Sequence, residues 1–312
     1  MPRAAAPRTL SDPFPFSARA LGPSSEYPDM SSHRRNANAS SVPASTPLST
    51  AIGQALHARR ARRPAAAAIV LAALALSAPA VQAQSTEWNN VGPAADWRDA
   101  ANWTAGVPDA DTDVAITQFV SDSYPLIDGG TALARDLFLG HASGLFIDNG
   151  ASFTNRDSTV AGGVFVTRGS VWNARDVSVG TSNTTIPLPA RVFVSTGAAL
   201  NAQNIIVGGN SGDEGSLEVD AASASASGEI VVGDAGRGLL SLANGARVDT
   251  SSVTVGRQQG SNGSVQVGAN SVLDVTGNIV VGESGTGEMR VDGQASVSSA
   301  GLWIGQGAGS SG

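Results

Sequence analysis

The stretch from Ser216 to Gly312 repeats itself. It reads SLEVDAASASASGEIVVGDAGRG (216–238), LLSLANGARVDTSSVTVGRQQGSNG (239–263), SVQVGANSVLDVTGNIVVGESGTG (264–287) and EMRVDGQASVSSAGLWIGQGAGSSG (288–312). Each line carries short apolar alternations, a Gly-centred turn and a closing signature of apolar, any residue, apolar, Gly. Followed back through the chain, the signature closes at Gly140, Gly180, Gly208, Gly233, Gly256, Gly282 and Gly305. A degenerate copy, Thr159-Val160-Ala161-Gly162, falls between the first two. The mean interval is about 24 residues, and a period of roughly 20 to 50 marks a solenoid, a propeller or an array.

The phase inside the repeat is tight. The residues one and three before each glycine are pairs such as Leu137/Leu139, Ile205/Val207, Val253/Val255 and Leu302/Ile304, all aliphatic. The residue between them is Phe138, Ser178, Ile206, Val231, Thr254, Val280 or Trp303, a mixed set. Strand alternation puts the aliphatic pair inward and the mixed set outward. A second strand follows the turn (Leu217/Val219, Leu240/Leu242, Val265/Val267, Met289/Val291), and a shorter third one includes Ala246-Arg247-Val248 and Ala295-Ser296-Val297. Three short strands per repeat predict an all-β, right-handed parallel β-helix whose equivalent side chains stack coil on coil. Eight or so coils, each rising roughly 4.8 Å, would make a rod on the order of 40 Å long. No apolar stripe at helical spacing survives the Gly and Ser punctuation. The rival is an antiparallel meander, because Asn149-Gly150 and Asn244-Gly245 are hairpin-type turn dipeptides.

Residues 1–58 are rich in Pro, Ser, Ala and Arg and lack periodicity, which predicts a disordered leader or extended signal region. Residues 59–83 read as a Sec signal peptide. Arg59-Arg60-Ala61-Arg62-Arg63 precedes an apolar run from Ala65 to Leu76, then small residues up to Ala83. Cleavage is expected between Ala83 and Gln84, with a cut after Ala80 as the second choice. The run is too short for a membrane span of roughly 20 residues, although an uncleaved anchor is the other reading. Translation starts at Met1 or at Met30.

From Gln84 onward the chain has ten Arg, no Lys and 23 acidic residues. That balance argues against nucleic-acid binding, which needs clustered basic residues, and suits a soluble monomer. There is no Cys. A long β-helix buries enough core to do without disulfides, and a chain threaded through a narrow pore has reason to avoid them.

Residues 84–130 differ from the repeats over 131–312. Trp88, Trp97 and Trp103 lie there, three of the five Trp in the chain. The expected role is an N-terminal cap over the open end of the β-helix, with a sugar-stacking platform as the alternative. Asp109, Asp111 and Asp113 alternate and are expected at the solvated start of a strand, since a calcium loop needs further spaced oxygens and a glycine turn. His141 is the one histidine after the cleavage point and is expected in a turn. Asp148, Asp220, Asp274 and Asp292 are the candidates for paired carboxylates in glycoside hydrolysis. Three of them, with Asn244, fall at turns, where Asp and Asn are favoured for their backbone chemistry. Gly208-Gly209 and the stretch from Gly260 to Gly263 lack the strand–loop–helix setting of a phosphate cradle. No catalytic, metal or cofactor set is expected.

The Trp-rich start with NWTAGVP (Asn102 to Pro108) and repeats such as GARVDTSSVTVG (Gly245 to Gly256) resemble the passenger of a bacterial autotransporter of the type V secretion class. More narrowly, they resemble the repeat shared with PEP-CTERM surface proteins. The resemblance covers about Glu87 to Gly312. It implies Sec export and then passage through an outer-membrane β-barrel translocator to the surface of a Gram-negative bacterium, or release from it. No barrel strands and no PEP-CTERM tail follow Gly312, so the sequence is expected to be a fragment or a truncated product. The protease branch of the family would show a GDSG-like motif, and none occurs. The expected function is a structural or adhesive rod, with a host or matrix surface as the possible partner. The alternatives are a polysaccharide-degrading β-helix enzyme and a PEP-CTERM-type matrix protein. The discriminating feature is a cluster of Asp and Arg from neighbouring coils, and three or more converging on one groove would reverse the preference for the rod. The arginines read as scattered, so no such cluster is expected.

Overall fold

The alternation seen in the sequence is the alternation that packs the core. A computed structural model describes residues 84–90, 92, 94–118, 124–182 and 189–312. The leader, the signal peptide with Ala83, and the middle of the Thr181 to Ala190 loop (183–188) lie outside the described residues. The described chain is a parallel β-solenoid of about 9 turns, with three strands to a coil.

The first face is a 9-stranded sheet running from Ala95–Asp96 through Gly144–Asp148 and Arg237–Ala243 to Thr286–Val291. The second face runs from Thr131–Leu133 to Ser296–Ser298, and the third from Gln84–Glu87 to Gly301–Ile304. The strands Ser223–Val232 and Arg247–Val255 bend from the second face onto the third without a break, which joins those two faces into one 16-stranded sheet. Every ladder between these strands is parallel, with one register shift, between Ala226 and Glu229, where Ser223–Val232 meets Arg247–Val255. Val192, Leu217, Leu240, Val265 and Met289 form one column. That excludes the meander. The coil strands also begin earlier than expected, because Gln84–Glu87 pairs with Thr112–Ile116 and Ala95–Asp96 pairs with Pro125–Asp128. Residues 84–130 therefore share the sheets of the repeats they precede.

The Asn-Gly dipeptides do form the tight turn their residues favour, but as corners of a coil. Asn149 and Gly150 have φ of 57 and 73, and Asn244 and Gly245 have 55 and 77. The bonds Ala151 N–H to Asp148 O and Ala246 N–H to Ala243 O close the turns at 3.1 Å. Two successive positive φ angles with this closure are the I′ pattern. Each flanking strand then pairs with neighbouring coils instead of with its sequence neighbour.

The landmark glycines have a separate reason. Gly208, Gly233, Gly256 and Gly282 all have positive φ, and a Cβ on any of them would overlap a backbone carbonyl of the next coil. Gly140 and Gly180 lack that angle. The position therefore tolerates a side chain in the early coils, and Ala161 occupies it. Ala161 N–H bonds Leu139 O at 2.8 Å, just as Gly140 N–H bonds Ile116 O. The degenerate copy is thus one residue out of the phase read from Gly162. Ser158 and Val160 face inward, and Thr159 faces out, because a one-residue slip exchanges the two faces of a strand. In the last coil the inward-phase residues Leu302 and Ile304 are exposed.

Candidate functional site

The solenoid turns a recurring dipeptide into a charge ladder. Of the four Arg-Asp dipeptides, those at 135–136, 156–157 and 175–176 lie where the chain passes from the second face to the third. Asp136, Asp157 and Asp176 are partners in register. The three arginines stack beside them, with Arg156 N–H bonded to Arg135 O at 2.6 Å and Arg175 N–H to Arg156 O at 2.7 Å. Each arginine reaches back to the aspartate of the preceding coil. Arg135 is bidentate on Asp113, Arg156 is bidentate on Asp136 at 3.2 and 2.9 Å, and Arg175 pairs with Asp157. Each also touches the aspartate of its own coil, as Arg175 does Asp176 at 3.2 Å. Asn204 Nδ2 donates to Asp176 Oδ1 at 2.7 Å and ends the ladder. A shallow groove of about 510 Å³ runs along the arginine side, with Leu133, Ala134 and Ala174 among its lining.

This is the cluster the sequence did not show. The arginines are not scattered, and three of them converge with four aspartates from neighbouring coils. The signal was present as the repeated Arg-Asp dipeptide. It stands at the same distance before Gly140, Ala161 and Gly180, and only the misplaced phase of the degenerate copy hides the alignment.

Inside the ladder Asp136 is held below the usual carboxylate value of 3.8. Its partial burial pushes the other way, and is outweighed by the bonds from Arg156 and the Asp157 N–H and by the charges of Arg156 and Arg135. A carboxyl with a depressed folded pKa contributes stability that is fully present above its unfolded pKa. That stability is lost as pH falls through the folded value. Acid unfolding should therefore deepen below pH 3.8, and Asp136→Asn should flatten that limb of a plot of thermal midpoint against pH. An identical acid limb in the variant would show that Asp136 carries none of the effect.

A second groove, of about 600 Å³, lies on the first face over an aromatic column. Tyr124, Phe146 and Phe165 are 4.3 and 4.6 Å apart between ring centroids, Phe146 and Phe165 are stacked, and Phe193 follows in register under Arg191. Rings stacked face to face along the coil axis turn their edges to solvent. A sugar stacks on a ring face, so this column satisfies itself instead.

The other candidates are placed as follows. Trp88, Trp97 and Trp103 are buried, packed edge-on at 5.0 and 4.7 Å, and Trp97 rests on Phe153. Their faces are spent on the first coils of the core, which removes the sugar platform. Asp109 caps its turn through Asp111 N–H and the Thr112 hydroxyl, while Asp113 belongs to the ladder. Asp148 and Asp292 accept the closing bonds of corner turns, and Asp220 immediately precedes Ala221, which has φ 49. Asp274 shares Arg247 with Asp249 on the second face. Gly260 is in a loop, but Asn262-Gly263 opens a strand. His141 lies in a turn with Nδ1 3.3 Å from the Thr181 hydroxyl, a neighbour 40 residues away in sequence. Its Nε2 is buried and has no hydrogen-bond partner among the described residues, so no carboxylate orients the ring as a catalytic triad requires. Among the described residues no group of three or more His, Asp or Glu is placed to hold a metal ion.

The chain matches no known protein family, and neither a curated protein nor a solved structure matches it.

Proposed function

We propose that the chain is exported and serves outside the cytoplasm as a structural or adhesive rod without catalytic activity, in the manner of an autotransporter passenger. The observation that carries this reading is that the rod's outward charges are spent on one another, coil against coil. All ten arginines from Gln84 onward are in ion pairs with carboxylates of this same surface. What remains is an acidic exterior. It repels polyanions such as nucleic acid and uronate polymers, and it keeps rods apart in solution. The arginine-rich run before the apolar segment supports Sec export. In this reading the partner is an outer-membrane β-barrel translocator, and a PEP-CTERM-type matrix protein would use the same rod.

The test is expression of the full chain in a Gram-negative host, followed by fractionation and N-terminal sequencing. The expected product is periplasmic and begins at Gln84. An unprocessed chain confined to the cytoplasm would overturn the reading.

The ladder groove meets the condition set for the second reading, a polysaccharide-degrading enzyme, because it gathers Asp and Arg from adjacent coils. Glycoside hydrolysis needs one carboxyl free to hold a proton, whereas each ladder aspartate is paired with an arginine. Release of oligosaccharides from neutral or acidic glycans that disappears in Asp136→Asn would establish the enzyme. The rod reading expects no release from either protein.

A further inference from the structure

Three Asn-Gly pairs lie in the solenoid: Asn149-Gly150, Asn244-Gly245 and Asn262-Gly263. Asn-Gly is chemically labile because glycine lacks the Cβ that would shield its backbone nitrogen. That nitrogen loses its proton and attacks Asn Cγ. The bond from Cγ to Nδ2 breaks, and ammonia leaves. Water then opens the succinimide at one carbonyl or the other, giving aspartate or isoaspartate.

The fold divides the three pairs into two classes. Asn149-Gly150 and Asn244-Gly245 are exposed corners. Each corner glycine N–H is held by one carbonyl of the next coil, Arg168 O at 3.0 Å for Gly150 and Ala269 O at 2.8 Å for Gly245. Beyond the corner glycines there is open space, with nothing near the position of a Cβ. Asn262-Gly263 instead opens the strand Asn262–Val267, which is paired with a parallel neighbour on each side. Gly263 is buried, and Val232 O fills the place where its Cβ would be. Closing the succinimide swings the peptide between the two residues. In that motion the Asn149 corner loses the Gly150 bond and the Asn244 corner loses the Gly245 bond and the amide's bond to Asp220, while a strand must leave both ladders.

We propose that Asn149 and Asn244 are deamidation sites of this protein and that the fold shields Asn262. The consequences are local and irreversible. Isoaspartate lengthens the main chain inside a two-residue turn whose 3.1 Å closing bond sets the register of the next strand. Aspartate at 244 would replace the amide that now donates to Asp220 Oδ1 at 2.5 Å, and set two carboxylates against each other. Both products loosen the corner between the first and second faces, so these turns age the rod at a rate set by local opening.

The full chain would be incubated at mildly alkaline pH, native and in urea, then cut at arginine and mapped by mass spectrometry with isoaspartate detection. Arginines separate the three pairs into different peptides. In urea the three rates should converge. In the native protein Asn149 and Asn244 should convert roughly tenfold or more faster than Asn262, the ratio expected when one opening breaks fewer bonds than the other. The variants Asn149→Gly and Asn244→Gly keep the positive φ and should each remove one signal with the circular dichroism spectrum unchanged. Native conversion of Asn262 as fast as a corner would overturn the proposal. So would native corners that stay intact while the urea sample reacts to completion.

Discussion

Replacing Gly233 with Ala is expected to destabilise the solenoid by about 3 kcal/mol or more, the sum of a left-handed backbone penalty and an overpacking cost. Gly233 has φ 73, and a Cβ there would overlap the carbonyl of Asn262 in the next coil. Its own N–H is fixed on Val207 O at 2.7 Å, so the residue cannot withdraw without breaking the ladder on the other side. Gly245→Ala is the control. That glycine has φ 77 with nothing near its missing Cβ, so it should lose only the backbone term, about 1–2 kcal/mol. Urea unfolding followed by circular dichroism separates the two. Equal losses would mean that close approach between coils contributes nothing at the landmark glycine.

Trp172→Ala should cost about 3–5 kcal/mol, the range for emptying an aromatic site in a packed core. Trp172 is fully buried on the second face, in register between Phe153 and Leu200. Its indole N–H donates to Asn155 Oδ1 at 2.8 Å, and Asn155 Nδ2 donates to the Ser158 hydroxyl at 2.8 Å. Deleting the ring opens a cavity and also strands a buried amide. Trp172→Phe keeps most of the volume and loses the donor, so it should fall between wild type and the alanine variant. A phenylalanine variant as unstable as the alanine variant would place the whole effect in the hydrogen-bond chain.

Ser158 shows why one repeat was legible only in part. At a position where the other coils carry an aliphatic residue it carries a hydroxyl, which accepts from Asn155 Nδ2 beneath Trp172. From sequence alone that reads as a decayed repeat whose inward phase falls one residue later than the observed one. The corner turns were legible as turns but not as corners. Asn149-Gly150 sets the same pair of positive φ angles whether the strands after it pair with each other or with the coils above and below. The Arg-Asp dipeptides were visible but had no evident partner, since Arg135 reaches Asp113 in the preceding coil.

The sequence by itself determined what depends on the local chain: a strand period of two, the recurrence of three strands and a glycine, the left-handed turns at Asn149-Gly150 and Asn244-Gly245, and the inward aliphatic pairs. These follow from backbone sterics and burial, which act within a few residues. Only the tertiary structure decided which residues meet across coils. The turn from Gly144 to Gly163 is shorter than the one from Gly163 to Arg191, so no fixed count predicts a partner. The ladder, the Trp172–Asn155–Ser158 chain and the stacked phenylalanines exist because parallel in-register pairing carries each residue onto its counterpart, one strand spacing away, whatever length of chain lies between.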